Sequence, residues 1–171
     1  MKKVFCFLGI VSIIAIFLSG SFSVKDQCIR IHVRANSNSS VDQSVKYTVK
    51  DEIVEYLTPY VSDTFTFSEA MSVVESRLDS IKKVADGVLK RHGFTYSSRV
   101  RLTQENFPAR VYNGYTLSEG IYDALIIELG SGVGDNWWCV LFPPLCFSPV
   151  GKGETIEYKS KLVELCDKIF G

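Results

Sequence analysis

From Cys28 to Arg34 apolar and polar positions alternate, with Ile29, Ile31 and Val33 on one side and Arg30, His32 and Arg34 on the other. Period two is the signature of a half-buried strand. The basic stripe reads as a solvated face, the alternative being a site for an anion or an acidic partner. The segment 35–40 has the composition of a turn. Ser40 to Gln43 then has the form of a capping box, with Ser40 at the N-cap. Val41, Val45, Val49, Ile53 and Leu57 recur at helical spacing, and Pro59 predicts the end of that helix near Leu57. Ser68 and Glu69 open a second helix, with an apolar stripe of Val74, Leu78, Ile81, Ala85, Val88 and Leu89. Lys90, Arg91 and His92 fill its last turn and Gly93 stops it, so His92 reads as a helix-terminal cation rather than a catalytic base.

Alternation resumes over Phe94 to Thr103, predicting a strand. Phe107 to Tyr112 reads as an edge strand because of Pro108, and Asn113-Gly114 as a hairpin turn. Ile121 to Leu129 is nearly all apolar and reads as a central strand, with Asn136 to Phe142 as its hairpin partner. Thr155 to Phe170 carries the apolar pattern of a closing helix. Strands and helices are therefore segregated, which predicts an α+β domain: a mostly antiparallel sheet of three to five strands covered by about three helices.

The stretch from Gly130 to Pro149 departs from these patterns. Gly130, Gly132 and Gly134 lead into Trp137 and Trp138, and Pro143-Pro144 lies between Cys139 and Cys146. Two prolines remove two N–H donors, so the strand must end there. Alternation sends one tryptophan inward and the other outward, and core packing is the ordinary use of both. The piece Phe142, Pro143, Pro144, Leu145, Cys146 and Phe147 is apolar and turn-like, which points to a contact surface.

Composition bounds the setting. Lys2 and Lys3 precede an apolar run from Val4 to Leu18 and small residues at Ser19 to Ser23, the pattern of a secretory signal peptide over 1–21. An uncleaved N-terminal anchor is the alternative. About 150 residues remain, enough for one domain over 24–171. Removing Lys2 and Lys3 leaves 17 basic against 19 acidic side chains. This near neutrality argues against nucleic acid and against a polybasic lipid site. Cys28, Cys139, Cys146 and Cys166 permit three pairings, of which Cys139–Cys146 is the simplest on spacing. Cys28 and Cys166 read as small buried hydrophobes. No CxxC is present, so a zinc site is not expected.

Catalytic patterns are missing: no GxSxG, no HExxH and no phosphate-binding glycine loop. Cys139 with His32 or His92 is the one arithmetic candidate for a thiol enzyme, and an exported cysteine near a second one is oxidised more readily than it is used as a nucleophile. No cofactor, metal or small-molecule substrate is implied, and binding is favoured over catalysis.

Three motifs carry a resemblance. They are Ile29-Arg-Ile-His-Val-Arg-Ala-Asn-Ser37, then Asp42-Gln43 with Lys46 and Val49-Lys-Asp51, then Asn136-Trp-Trp-Cys-Val-Leu-Phe-Pro-Pro-Leu-Cys-Phe147. With them the chain resembles the stage II sporulation protein R family over essentially its whole length after the signal peptide. The resemblance implies a secreted protein of endospore-forming bacteria, made in the forespore and exported into the space facing the mother cell. There it would trigger a membrane-bound aspartic-type protease that trims the sigma-E precursor. It implies a ligand, not an enzyme. Trp137, Trp138, Phe142, Pro143, Pro144, Leu145 and Phe147 are the expected partner-binding residues, held by a Cys139–Cys146 bridge. The rival readings are an extracellular thiol hydrolase and a structural component of the intermembrane space.

Overall fold

The computed structural model describes residues 27–112 and 115–145. The expected signal peptide, the Asn113-Gly114 turn, Cys146, Phe147 and the expected closing helix lie outside the described residues. The elements run β1 (Ile29–Arg34), α1 (Ser40–Val61), α2 (Phe67–Glu75), α3 (Leu78–Arg91), β2 (Ser98–Phe107), β3 (Arg110–Tyr112), β4 (Tyr115–Leu117), β5 (Gly120–Leu129) and β6 (Asn136–Phe142). This is the α+β domain that the segregated pattern predicts.

The main sheet has the order β2-β5-β1-β6. β1 is parallel to β5 and antiparallel to β6, and β2 is antiparallel to β5. β6 is therefore not the hairpin partner of β5. The loop from Gly130 to Asp135 crosses the end of β1, and β1 fills the place between them. β1 takes that central place because neither of its faces is wet. Arg30 is 0% and His32 4% exposed, so the solvated-face reading of the basic stripe is overturned. Alternation reports which residues share a face; it does not report whether that face is covered.

Helices cover one face of the sheet. Ile29, Ile31 and Val33 of β1, Leu125, Ile127 and Leu129 of β5, and Cys139 and Leu141 of β6 pack against Val45, Val49, Ile53, Leu57, Ile81, Ala85, Val88 and Leu89. The β1–β6 register skips Leu141, a bulge that brings Phe142 into this core as well. On the opposite face Cys28, Phe107, Tyr122, Ala124, Ile126 and Val140 form a second buried cluster, with Tyr112, Leu117, Trp138 and Leu145 packed on it. The small sheet of β3 and β4 supplies two of these. Its register, Tyr112 opposite Tyr115, leaves two residues for the turn, as Asn113-Gly114 predicts.

Several boundaries differ from expectation for local reasons. The N-cap of α1 is Ser39, whose side chain accepts from the Asp42 N–H at 3.2 Å. Gln43 does not reach back to the cap; its amide donates to the Ser37 carbonyl at 2.9 Å. Val41 consequently points outward, 63% exposed. α1 also runs through Pro59 to Val61. Pro59 sits in the last turn, where only one intrahelical bond is lost, and full burial of Val61 offsets that loss. The second predicted helix is two helices, broken at Ser76 and Arg77. Its start is capped by Thr66 with Glu69 in a reciprocal capping box, not by Ser68. Gly93 ends α3 at a φ of 79°, as the stop signal predicts. The next strand runs from Ser98 to Phe107, so both its start and its end fall four residues later than predicted; Phe94 and Tyr96 pack on the helix-side core from the loop before it.

Candidate functional site

The residues that carry the sequence motifs fall into two groups, a clasp and a cleft. The clasp ties the β1–α1 loop to the glycine loop. Gly134 N–H donates to the Ala35 carbonyl at 2.9 Å, and Asp135 N–H to Asn38 Oδ1 at 2.6 Å. Ser131 donates its backbone N–H to Asn36 Oδ1 at 2.9 Å and its hydroxyl to the Asn36 carbonyl at 2.6 Å. A Cβ on Gly134 would stand 2.3 Å from the Ser37 carbonyl oxygen, so only glycine lets the two backbones meet.

Asp42 anchors the clasp from the helix. Its carboxylate accepts from Ser37 Oγ at 2.5 Å, Asn36 Nδ2 at 3.0 Å and Tyr96 Oη at 2.6 Å. Burial pushes this carboxyl up, but the hydrogen bonds from Ser37, Tyr96 and Asn36 outweigh it and hold the group below the usual aspartate range. The buried Lys46 ammonium donates to Gln43 Oε1 at 2.6 Å and to the Asp135 carbonyl at 3.0 Å. Asn36, Ser37, Asp42, Gln43 and Lys46 are thus one polar network whose product is a stiff glycine loop.

The cleft opens beside that loop, on the sheet face away from the helices. Its volume is about 400 Å³, and His32, Arg34, Glu105, Gly132–Gly134, Asn136 and Trp138 lie on its walls. His32 Nδ1 lies 3.2 Å from Glu105 Oε1. An ionised carboxylate only accepts, so Nδ1 carries the proton and Nε2 presents its lone pair. Burial pulls His32 below the usual histidine range, opposed by the nearby Asn136 amide and the Glu105 charge. Nε2 is buried, with the Asn136 side chain as its neighbour and no hydrogen bond of ordinary geometry among the described residues. Glu105 Oε2 is likewise buried and has no donor among the described residues, because Oε1 takes both His32 and Arg34.

Behind the cleft Glu128 collects three arginines. It accepts from Arg101 Nη1 at 2.5 Å and Nη2 at 3.1 Å and from Arg34 Nη1 at 2.7 Å, with Arg99 Nε at 3.5 Å. The Arg101 hydrogen bonds, helped by the Arg34 and Arg99 charges, pull its pKa to about 2 against burial. Deeper still, Arg30 is fully buried, with no carboxylate paired to it among the described residues. Its guanidinium lies 4.3 Å from the Phe107 ring centroid and 5.0 Å from that of Tyr122, and donates to Tyr112 Oη at 2.8 Å. Aromatic faces stand in for the missing anion.

The predicted contact residues do not form one patch. Trp137 packs on the helix-side core, with the Lys50 ammonium 5.4 Å from its ring. Trp138 packs on the opposite face, 5.4 Å from the His32 ring and 4.8 Å from the Arg110 guanidinium. Both are half-buried, so neither is the wholly inward or outward residue that alternation suggests. Phe142 is a core residue, while Pro143, Pro144 and Leu145 are half-buried at the end of β6. Sequence reasoning missed the His32–Glu105 pair and Glu128. The visible signal was three basic residues at every second position of one strand, and the acids that answer them lie on β2 and β5, which only the topology brings alongside.

The thiol–imidazole pair is not made. Cys139 is opposite Ile31 and faces the helices, whereas His32 is opposite Trp138 and faces away. Cys139 is disulfide-bonded; Cys146, its expected partner, lies outside the described residues. Cys28 is a free, buried thiol, as its reading as a small hydrophobe predicts. Burial pushes it up to about 12, against the nearby Arg30 charge. Its labelling by a water-soluble maleimide is therefore expected to be at least 100-fold slower in the native protein than in urea; comparable rates would contradict the packing. Among the described residues no group of side chains is arranged to hold a metal ion.

Residues 25–152 match the family described as stage II sporulation protein R (spore_II_R). The chain belongs to that family. It is 38% identical over 134 residues to stage II sporulation protein R of Bacillus subtilis (strain 168), an alignment covering 78% of this chain and 60% of the relative. The chain thus spans about 60% of the length of the curated relative it matches. No solved structure matches it. Membership gives the chain a role in sporulation, and all three sequence motifs lie within the matched residues.

Proposed function

We propose that the chain is an exported signalling ligand of sporulation. Made in the forespore and delivered to the space facing the mother cell, it engages a membrane-bound aspartic-type protease, and the sigma-E precursor is trimmed in consequence. It acts by binding, not by catalysis. The observation that carries this reading is the separation of Cys139 and His32 onto opposite faces of the sheet, which leaves the rival thiol hydrolase without its nucleophile and base. Supporting it is the end of β6, where Pro143, Pro144 and Leu145 form a half-buried apolar edge, with Leu145 packed on the cluster of Cys28, Phe107 and Tyr122. A contact surface ordered before docking loses less entropy on binding. A Cys139–Cys146 bridge would close the segment that carries Leu145 and Phe147.

The test is to add purified mature domain to cells that make only the protease and the precursor. Trimming is expected on addition. The same domain carrying Leu145→Ser is expected to trim at least tenfold less at equal protein level and unchanged melting temperature. No trimming by the unaltered domain overturns the ligand reading. Normal trimming by the variant removes the bend from the mechanism. Loss of protein together with activity would assign Leu145 to the core alone.

A further inference from the structure

We infer that the outer edge of β2 is a second partner-contact surface, and that it takes up an extended segment of the protein partner as a further strand of the main sheet, a segment in which acidic and apolar side chains alternate. The inference deepens the proposed ligand role and rests on it.

β2 stands at one end of the sheet order, and among the described residues no strand pairs with its far side. Its residues match those of β5 one for one from Ser98 to Phe107, without a bulge, and no proline interrupts them. Edge strands are ordinarily short, bulged or broken by proline, because their outward N–H and C=O groups pair readily with another chain. β2 instead keeps a continuous template about 30 Å long. Main-chain bonds to such an edge hold an added strand, and the flanking side chains decide which strand is held.

On the face away from the helices the flanking residues are Arg99, 67% exposed, and Arg101, 44% exposed. With Arg34 they share two carboxylates, Glu105 and Glu128, so the cations outnumber the anions. Arg101 is committed to Glu128 by both of its Nη groups. Arg99 approaches Glu128 only through Nε, at 3.5 Å, and its Nη groups have no partner among the described residues. A carboxylate on an added strand would satisfy that fork and cancel the surplus charge. On the helix face Val100 and Leu102 are half-buried at the same edge, and apolar side chains beside them would complete their cover. The complement of β2 is therefore acidic beside the arginines and apolar beside Val100 and Leu102. A second copy of β2 does not supply it: it brings two more arginines, and its one acid, Glu105, is already held by His32 and Arg34.

The test places a photo-crosslinking residue at Thr103, exposed on β2, at Leu145 or, as a control on the helix side, at Phe65, each in the full chain in cells that trim the precursor. Thr103 is expected to cross-link to the membrane protease in an adduct competed by unmodified chain, and Phe65 is not. Arg99→Glu is expected to lower trimming about tenfold with secreted level and melting temperature unchanged, whereas Lys83→Glu, the same charge reversal at an exposed position of α3, changes it less than about twofold. Where Arg99→Glu also lowers the melting temperature, the Thr103 adduct decides alone. Cross-linking from Leu145 but not from Thr103 overturns the edge while leaving the ligand role intact. Adducts of Thr103 to a second copy of the chain in place of the protease, or normal trimming by Arg99→Glu, also overturn it. Failure of the unaltered chain to trigger trimming overturns both readings.

Discussion

Glu128→Gln is expected to lower the unfolding free energy by about 2 kcal/mol at pH 7. The carboxyl sits near 2 in the folded protein against an ordinary 4.5, and each unit of such a shift is about 1.4 kcal/mol. The carboxylate is mostly buried, but Arg101 and Arg99 are exposed, so solvent screening brings the full value down to about 2 kcal/mol. Because the folded value is depressed, the stabilisation is present above the unfolded value of 4.5. It is lost as pH falls through 4.5 and on toward 2. Urea unfolding across pH 2–7 reads it directly: the gap between native and variant proteins is full at pH 7, narrower at pH 3 and nearly closed at pH 2. A gap unchanged by pH would mean that the arginines do not act through the Glu128 charge.

Gly134→Ala is expected to cost about 2–3 kcal/mol, at the upper end of overpacking effects. The new Cβ meets a backbone carbonyl, that of Ser37, at 2.3 Å, and Ser37 is itself held by Asp42 and Gln43. No rotamer change can relieve that contact, so the loop must move. The comparison is Gly93→Ala, where a φ of 79° is strained but nothing lies within 4 Å; about 1 kcal/mol is expected there. Denaturation midpoints separate the two, and faster amide exchange at Gly134 and Asp135 would report release of the clasp. A Gly134→Ala midpoint no lower than that of Gly93→Ala would refute the close approach.

The sequence patterns made much of this fold legible. Period two gave β1 and the run at Ile121–Leu129 gave a central strand, because alternation and continuous hydrophobicity are local properties. Gly93 and Thr66–Glu69 show how near-local chemistry sets helix ends, though the choice among Thr66 and Ser68 depends on which hydroxyl the chain can turn inward. What stayed hidden was relational. That Arg30 would lie among aromatic rings, and that His32 would meet Glu105, follows from β1 entering between β5 and β6, and no window of neighbouring residues encodes that insertion. The contact residues read from the Trp-Trp and Pro-Pro motifs are split by the same cause: consecutive residues of a strand face opposite ways, and this strand is covered on both.

The direction of β1 has a bearing on how the domain would stand at a membrane. Its first residue, Ile29, is opposite Phe142, and its last, Arg34, is opposite Asn136. Cys28, next before Ile29, therefore lies at the proline end of β6. The glycine loop and its hollow lie at the far end, about 20 Å away along a six-residue strand. A domain still tethered by a leader would hold the prolines near its own bilayer, so the proposed contact at Leu145 calls for a released domain. A domain released by signal peptidase would have no such orientation, and either end could meet a receptor.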